Sequence, residues 1–92
     1  MKLYVKASTI EYDDFKKLLE ADLIWDVLDK IEEDTGGSVD HSDRRTNSGM
    51  QNYFDVEIGD EFSRVRVSDK QMFDLYVDGG IDSIASYIES QI

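Results

Sequence analysis

The stretch NYFDVEIGDEFSRVRVS, residues 52–68, decides the fold. Phe54, Val56 and Ile58 alternate with polar residues before Gly59-Asp60, and Val65 and Val67 alternate after it. Period-two alternation marks a strand with one buried side, and a glycine-acid pair between two such runs marks a hairpin. With residues 59–62 as a four-residue loop, Ile58 faces Ser63, Val56 faces Val65 and Phe54 faces Val67. The opposite face then sets Glu57 against Arg64 and Asp55 against Arg66. One register satisfies both faces, the condition that pins strand pairing.

Upstream of the hairpin, residues 38–43 read as a short edge strand and 44–50 as a polar loop. Before them lies helical sequence in two parts. Tyr12, Phe15, Leu18 and Leu19 form one apolar set; Ile24, Val27, Leu28 and Ile31 form a second at i, i+3, i+4 and i+7. At ~100° per residue, Phe15 and Ile24 point to opposite sides of a straight helix. The sequence therefore predicts a break at Glu20-Ala21-Asp22, with Asp22 capping the second helix. Ser8 to Glu11 reads as a capping box that starts the first helix, and Gly36-Gly37 stops the second. In front of them MKLYVKAS alternates Met1, Leu3, Val5 and Ala7 against Lys2, Tyr4 and Lys6, as a strand does.

Downstream, Ser68 to Gln71 is a second capping box. Met72, Phe73, Tyr76 and Val77 then form one helical face, closed by Gly79-Gly80. A strand over 72–77 competes, because Phe73, Leu75 and Val77 also alternate. Ile81, Ile84, Ala85, Ile88 and Ile92 stripe a final helix. The expected class is α+β in a single domain over 1–92. A small antiparallel sheet, with strands near 1–7, 38–43, 52–58 and 63–67, is covered by helices near 9–20, 22–35, 69–77 and 81–91.

Composition narrows function. The 92 residues carry 21 acids against ten lysines and arginines, a net charge of −11. That opposes direct nucleic-acid binding through phosphates, which needs a basic face, and favours attraction to a basic partner. There is no cysteine, hence no disulfide, thiolate metal site or cysteine nucleophile. No secretory signal and no bilayer-length apolar run is visible, so a cytoplasmic location without membrane contact is expected. No cofactor or metal motif is present. A monomer or a weak dimer through an unpaired strand edge is expected.

The charge is unevenly placed. Residues 11–34 hold ten acids and three lysines, a net −7; residues 44–67 balance four arginines against four acids. Within DVLDKIEEDTGG, residues 26–37, five acids crowd the C-terminal end of a helix, where the macrodipole disfavours them by up to ~1 kcal/mol each. Asp22, Asp26, Asp29 and Glu33 fall in one line opposite the apolar stripe, and neighbours in it repel by a few tenths of a kcal/mol per pair. Twenty-four helical residues span ~36 Å, about one carboxylate per ~3.6 Å here, against one phosphate per ~3.4 Å along a DNA strand. Such an array can occupy a groove built to hold phosphates. The plainer reading is a solvated outer helix face that keeps the protein soluble. The expected partner-binding set is Asp22, Trp25, Asp26, Asp29, Glu32, Glu33 and Asp34. Trp25 is read either as half-buried core or as an aromatic anchor within a charged interface.

Chemistry is sparse. Asp40, His41 and Asp43 contain the single histidine but lack the fixed helical spacing of a metal motif. A surface or strand-edge histidine is the simpler reading, and no serine triad stands out. GDE at 59–61 reads as a hairpin loop, DGG at 78–80 as a helix stop, and no catalytic residue is assigned.

With its MKLYVKAS opening, short α+β layout and loaded DLIWDVLDKIEED helix, the chain resembles small acidic proteins carried by bacteriophages and mobile elements of Gram-positive bacteria. Some of those are anti-CRISPR or antirestriction inhibitors, and several imitate DNA. The resemblance implies a non-enzymatic inhibitor of a host nucleic-acid-binding defence protein, with a CRISPR effector nuclease or a restriction enzyme as target. It transfers no individual residue. The alternative is an accessory protein–protein interaction module that contacts its partner through a sheet edge or the Tyr4 and Trp25 aromatics, its acids serving only solubility.

Overall fold

The computed structural model describes residues 10–92. The expected strand over 1–7 and Ser8 of the first capping box lie outside the described residues. The architecture is α+β: three antiparallel strands, β1 (Ser38–Thr46), β2 (Gly49–Ile58) and β3 (Glu61–Ser68), in the order β1-β2-β3, packed against helices.

The β2–β3 hairpin forms, but its register differs by two residues from the one expected. Ile58 pairs with Glu61, Val56 with Ser63, Phe54 with Val65 and Asp55 with Arg64. The loop is two residues, Gly59-Asp60, not four. Gly59 takes φ 59°, the conformation a first central glycine supplies in a tight hairpin turn. A slip of two leaves every side chain on its own face, so Phe54, Val56, Val65 and Val67 are buried in either register. The polar face chooses between them. Arg64 grips Asp55 by donating from Nε to Oδ1 at 2.7 Å and from Nη2 to Oδ2 at 3.0 Å, and lies 5.5 Å from the Tyr53 ring centre.

Residues 44–50 are not a loop. β1 runs on to Thr46 and pairs with β2 throughout, with only Asn47 and Ser48 turning. Thr46 Oγ1 accepts from the Ser48 N–H at 3.2 Å and donates to the Gly49 carbonyl at 2.8 Å, fixing the turn without any apolar side chain.

Helix α1 (Tyr12–Leu18) starts later than the capping box predicts. Glu11 stands at its N-cap in extended conformation and makes no side-chain cap bond. The expected break before α2 (Ile24–Thr35) is absent. A π turn over Leu19–Leu23 joins the two helices without interruption, and Asp22 lies within it rather than capping anything. The wider turn takes up about one extra residue, roughly 100° of rotation. Phe15 and Leu19 thus share a side with Leu23, Val27, Leu28 and Ile31, all of them buried. Gly36 ends α2 in the left-handed conformation, φ 73°.

Helix α3 (Asp69–Gly79) carries the predicted capping box. Gln71 N–H donates to Ser68 Oγ at 3.0 Å, and Ser68 N–H donates to Gln71 Oε1 at 3.3 Å. Residues 72–77 are therefore helix, with Met72 buried and Phe73, Leu75, Tyr76 and Val77 packed around it. Gly80, at φ 72°, turns the chain into α4 (Ile81–Ser90), which buries Ile84, Ala85 and Ile88. Ile92 lies beyond this helix and is exposed. Phe15 sits at the centre of an aromatic cluster, 5.5 Å from Phe73 and 5.4 Å from Tyr76. Among the described residues no helix is long and apolar enough to cross a membrane.

Candidate functional site

The six acids of the expected partner-binding set separate into two kinds. Asp22, Asp26, Asp29 and Glu33 are exposed, and none of them enters an ion pair among the described residues. Glu32 and Asp34 are tied into the fold. Glu32 is half-buried and its carboxylate accepts the Val39 N–H at 3.1 Å, fastening the start of β1 to α2. Asp34 pairs with Lys30 at 3.3 Å and also meets Glu89 of α4. Burial, more than the nearby Asp34 carboxylate, pushes the Glu89 carboxyl above its ordinary value. The seventh residue, Trp25, is not half-buried: it is 65% exposed. The i, i+3, i+4 pattern identified the outward face correctly. It could not show that Glu32 would be claimed by a backbone donor seven residues on.

Beside Trp25 a groove of about 370 Å³ runs between the π turn, α2 and β1. Leu19, Ile24, Leu28 and Val39 provide its apolar lining, and Glu20, Trp25, Asp40, His41 and Asp43 its remaining walls. The chain thus brings the Asp40-His41-Asp43 segment against the helix that bears the acidic ladder, a juxtaposition that spacing alone does not reveal. The π turn supplies Leu19, Glu20 and Ala21, so the irregular helical segment forms one side of the opening. Such turns recur at functional sites.

Below the groove a smaller cavity of about 80 Å³ reaches Lys16, Asn52 and Asp69. These residues form a polar chain with His41. Lys16 is ion-paired with Asp69, which is 4% exposed in the first turn of α3, where the helix dipole favours an anion. The Asp69 hydrogen bond raises the Lys16 ammonium pKa above its usual value, against the opposing effect of burial. Asn52, 2% exposed, donates through Nδ2 to Asp69 Oδ1 at 2.6 Å and to the Val67 carbonyl at 3.2 Å. Its Oδ1 is therefore the acceptor that faces His41 Nε2 at 2.9 Å. His41 Nε2 is thus the donor of this bond. The ring is held further by Phe54, 5.1 Å away.

This chain joins β1, β2, α3 and α1. Among the described residues no three His, Asp or Glu side chains converge as a metal-binding group. Asp40 points to the other face of β1 from His41, opposite Asp55. Comparison with protein-family models, curated proteins and solved structures finds no match.

Proposed function

We propose that the protein is a non-enzymatic inhibitor that docks its acidic helix face into the basic groove of a nucleic-acid-binding protein, a host defence nuclease of CRISPR or restriction type. One observation carries the reading: Asp22, Asp26, Asp29 and Glu33 form an exposed line without ion pairs among the described residues, beside a tryptophan that is 65% exposed. Carboxylates held on a packed helix meet a basic groove without the loss of chain entropy that a disordered acidic tail incurs. Displacing the counterions of such a groove gives the salt-dependent affinity typical of a polyanion. Trp25 supplies apolar area within a charged contact, the pattern of an interface hot spot.

The test is the Asp26→Lys/Asp29→Lys/Glu33→Lys variant. Its changes lie on the solvent side, so it folds. Inhibition of DNA cleavage by the target nuclease falls at least ~100-fold, and the wild-type affinity drops steeply between low and high salt. Unchanged inhibition by the charge-reversed protein would overturn the proposal.

A second reading is favoured by the groove itself. As an interaction module the protein would grip its partner through Trp25 and the apolar lining. Affinity would then vary little with salt, and Trp25→Ala would weaken binding more than charge reversal does.

A further inference from the structure

The groove beside Trp25 is apolar in its lining, aromatic on one wall and anionic along the rest. Glu20 and Asp43 are exposed carboxylates, and among the described residues no lysine or arginine lines the groove. Lys16, the cation nearest below, is committed to Asp69. At about 370 Å³ the space lies near the lower bound of sites that enclose small ligands.

We propose that this groove is an arginine-binding subsite, in which the guanidinium of an arginine on the basic partner lies against Trp25 between the carboxylates of Glu20 and Asp43. The inference rests on the proposed docking to a basic partner and names the contact that gives it register. Each part of an arginine side chain has a counterpart here. The three-methylene stem matches the surface of Leu19, Ile24, Leu28 and Val39. The planar head stacks on the indole, an arrangement that favours guanidinium over ammonium. Its fork of donors meets the carboxylates of Glu20 and Asp43. An exposed acidic row attracts any cation; the walled groove distinguishes one cation from another.

The probe is argininamide, titrated into the full chain at physiological ionic strength and followed by ¹⁵N and side-chain NMR. The expected result is saturable shifts at the Trp25 indole, Val39 and His41 with a Kd on the order of 1 mM. Lysinamide binds at least ~3-fold more weakly. Glu20→Gln/Asp43→Asn weakens argininamide at least ~5-fold, whereas Asp60→Asn/Glu61→Gln, which removes the same charge from the β2–β3 turn, does not. Trp25→Ala, at an exposed position, gives the same loss and covers the case in which the Glu20/Asp43 variant fails to fold. Shifts spread along Asp22, Asp26, Asp29 and Glu33, equal binding of lysinamide, or full binding by Trp25→Ala would overturn the proposal. Because the probe is one small molecule rather than a polycationic groove, its result is independent of whether the ladder inhibits a nuclease.

Discussion

Asn52 shows how one side chain can hold a fold together. It is 2% exposed and serves Val67, Asp69 and His41 at once. Replacing it leaves a buried carboxylate and a backbone carbonyl short of donors, and unmet buried groups cost ~1–3 kcal/mol each. Asn52→Ala should therefore lower unfolding free energy by roughly 3 kcal/mol in urea titration. Glu89 gives the opposite sign. Its carboxyl pKa is raised, chiefly by burial, so the ionised form is penalised in the folded protein. That penalty is fully present above the raised value and fades as pH falls into the ordinary carboxylate range. Glu89→Gln should raise Tm by about 2 °C at pH 7, and the difference should vanish near pH 4. Asp55, held below the usual range by Arg64, works the other way, its contribution being lost as pH falls. An arginine opposite Asp55 is legible in the sequence, though as Arg66 rather than Arg64; the roles of Asn52 and Glu89 are not. Asn52 reads as an ordinary strand residue, and what makes it central is the arrival of His41 from β1 and Asp69 from α3.

At the level of elements, two features were readable in kind and misplaced in detail. Alternation identifies the β2–β3 hairpin, but period two cannot separate registers that differ by two, and only the Asp55–Arg64 fork and the Gly59 turn do so. β1 beyond Asp43 has no apolar alternation to announce it; its pairing depends on the Thr46 turn. In the long helix, the 180° conflict between Phe15 and Ile24 is plain in the sequence, and a break was the expected resolution. The π turn resolves it with one surplus residue and no break. Tyr12 and Leu18 of the first apolar set are exposed, so only Phe15 and Leu19 of it face inward; deleting exposed Ala21 should then give a regular α-helix that keeps those two on the side of Val27, Leu28 and Ile31, and Tm should stay within about 5 °C of the parent in a circular-dichroism melt. A helix–loop–helix would lose its second half's alignment and melt far earlier.

Across the whole molecule, charge is segregated. All four arginines lie on the strands, whereas Asp22, Asp26, Asp29 and Glu33 line one helical surface with no cation paired to them among the described residues. Net charge and its uneven placement were evident from composition, and so was the outward face of α2. The groove was not, since it forms between residues 19–28 and 39–43, which meet only after β1 folds back along the helix. Like charges in a row oppose folding, and salt relieves them. Raising ionic strength from ~0.01 to ~1 M should increase Tm by about 4 °C, measured by calorimetry, and Asp29→Asn should reduce that gain.

Trp25 is the single tryptophan of the chain and it stands in solvent. Its emission is accordingly that of a hydrated indole in the native state and changes little when the protein denatures. The usual optical signal of folding is thereby silent in this molecule. The same fluorophore shifts to the blue, or is quenched, when another surface covers it, so its colour records occupancy of the groove while the fold stays intact.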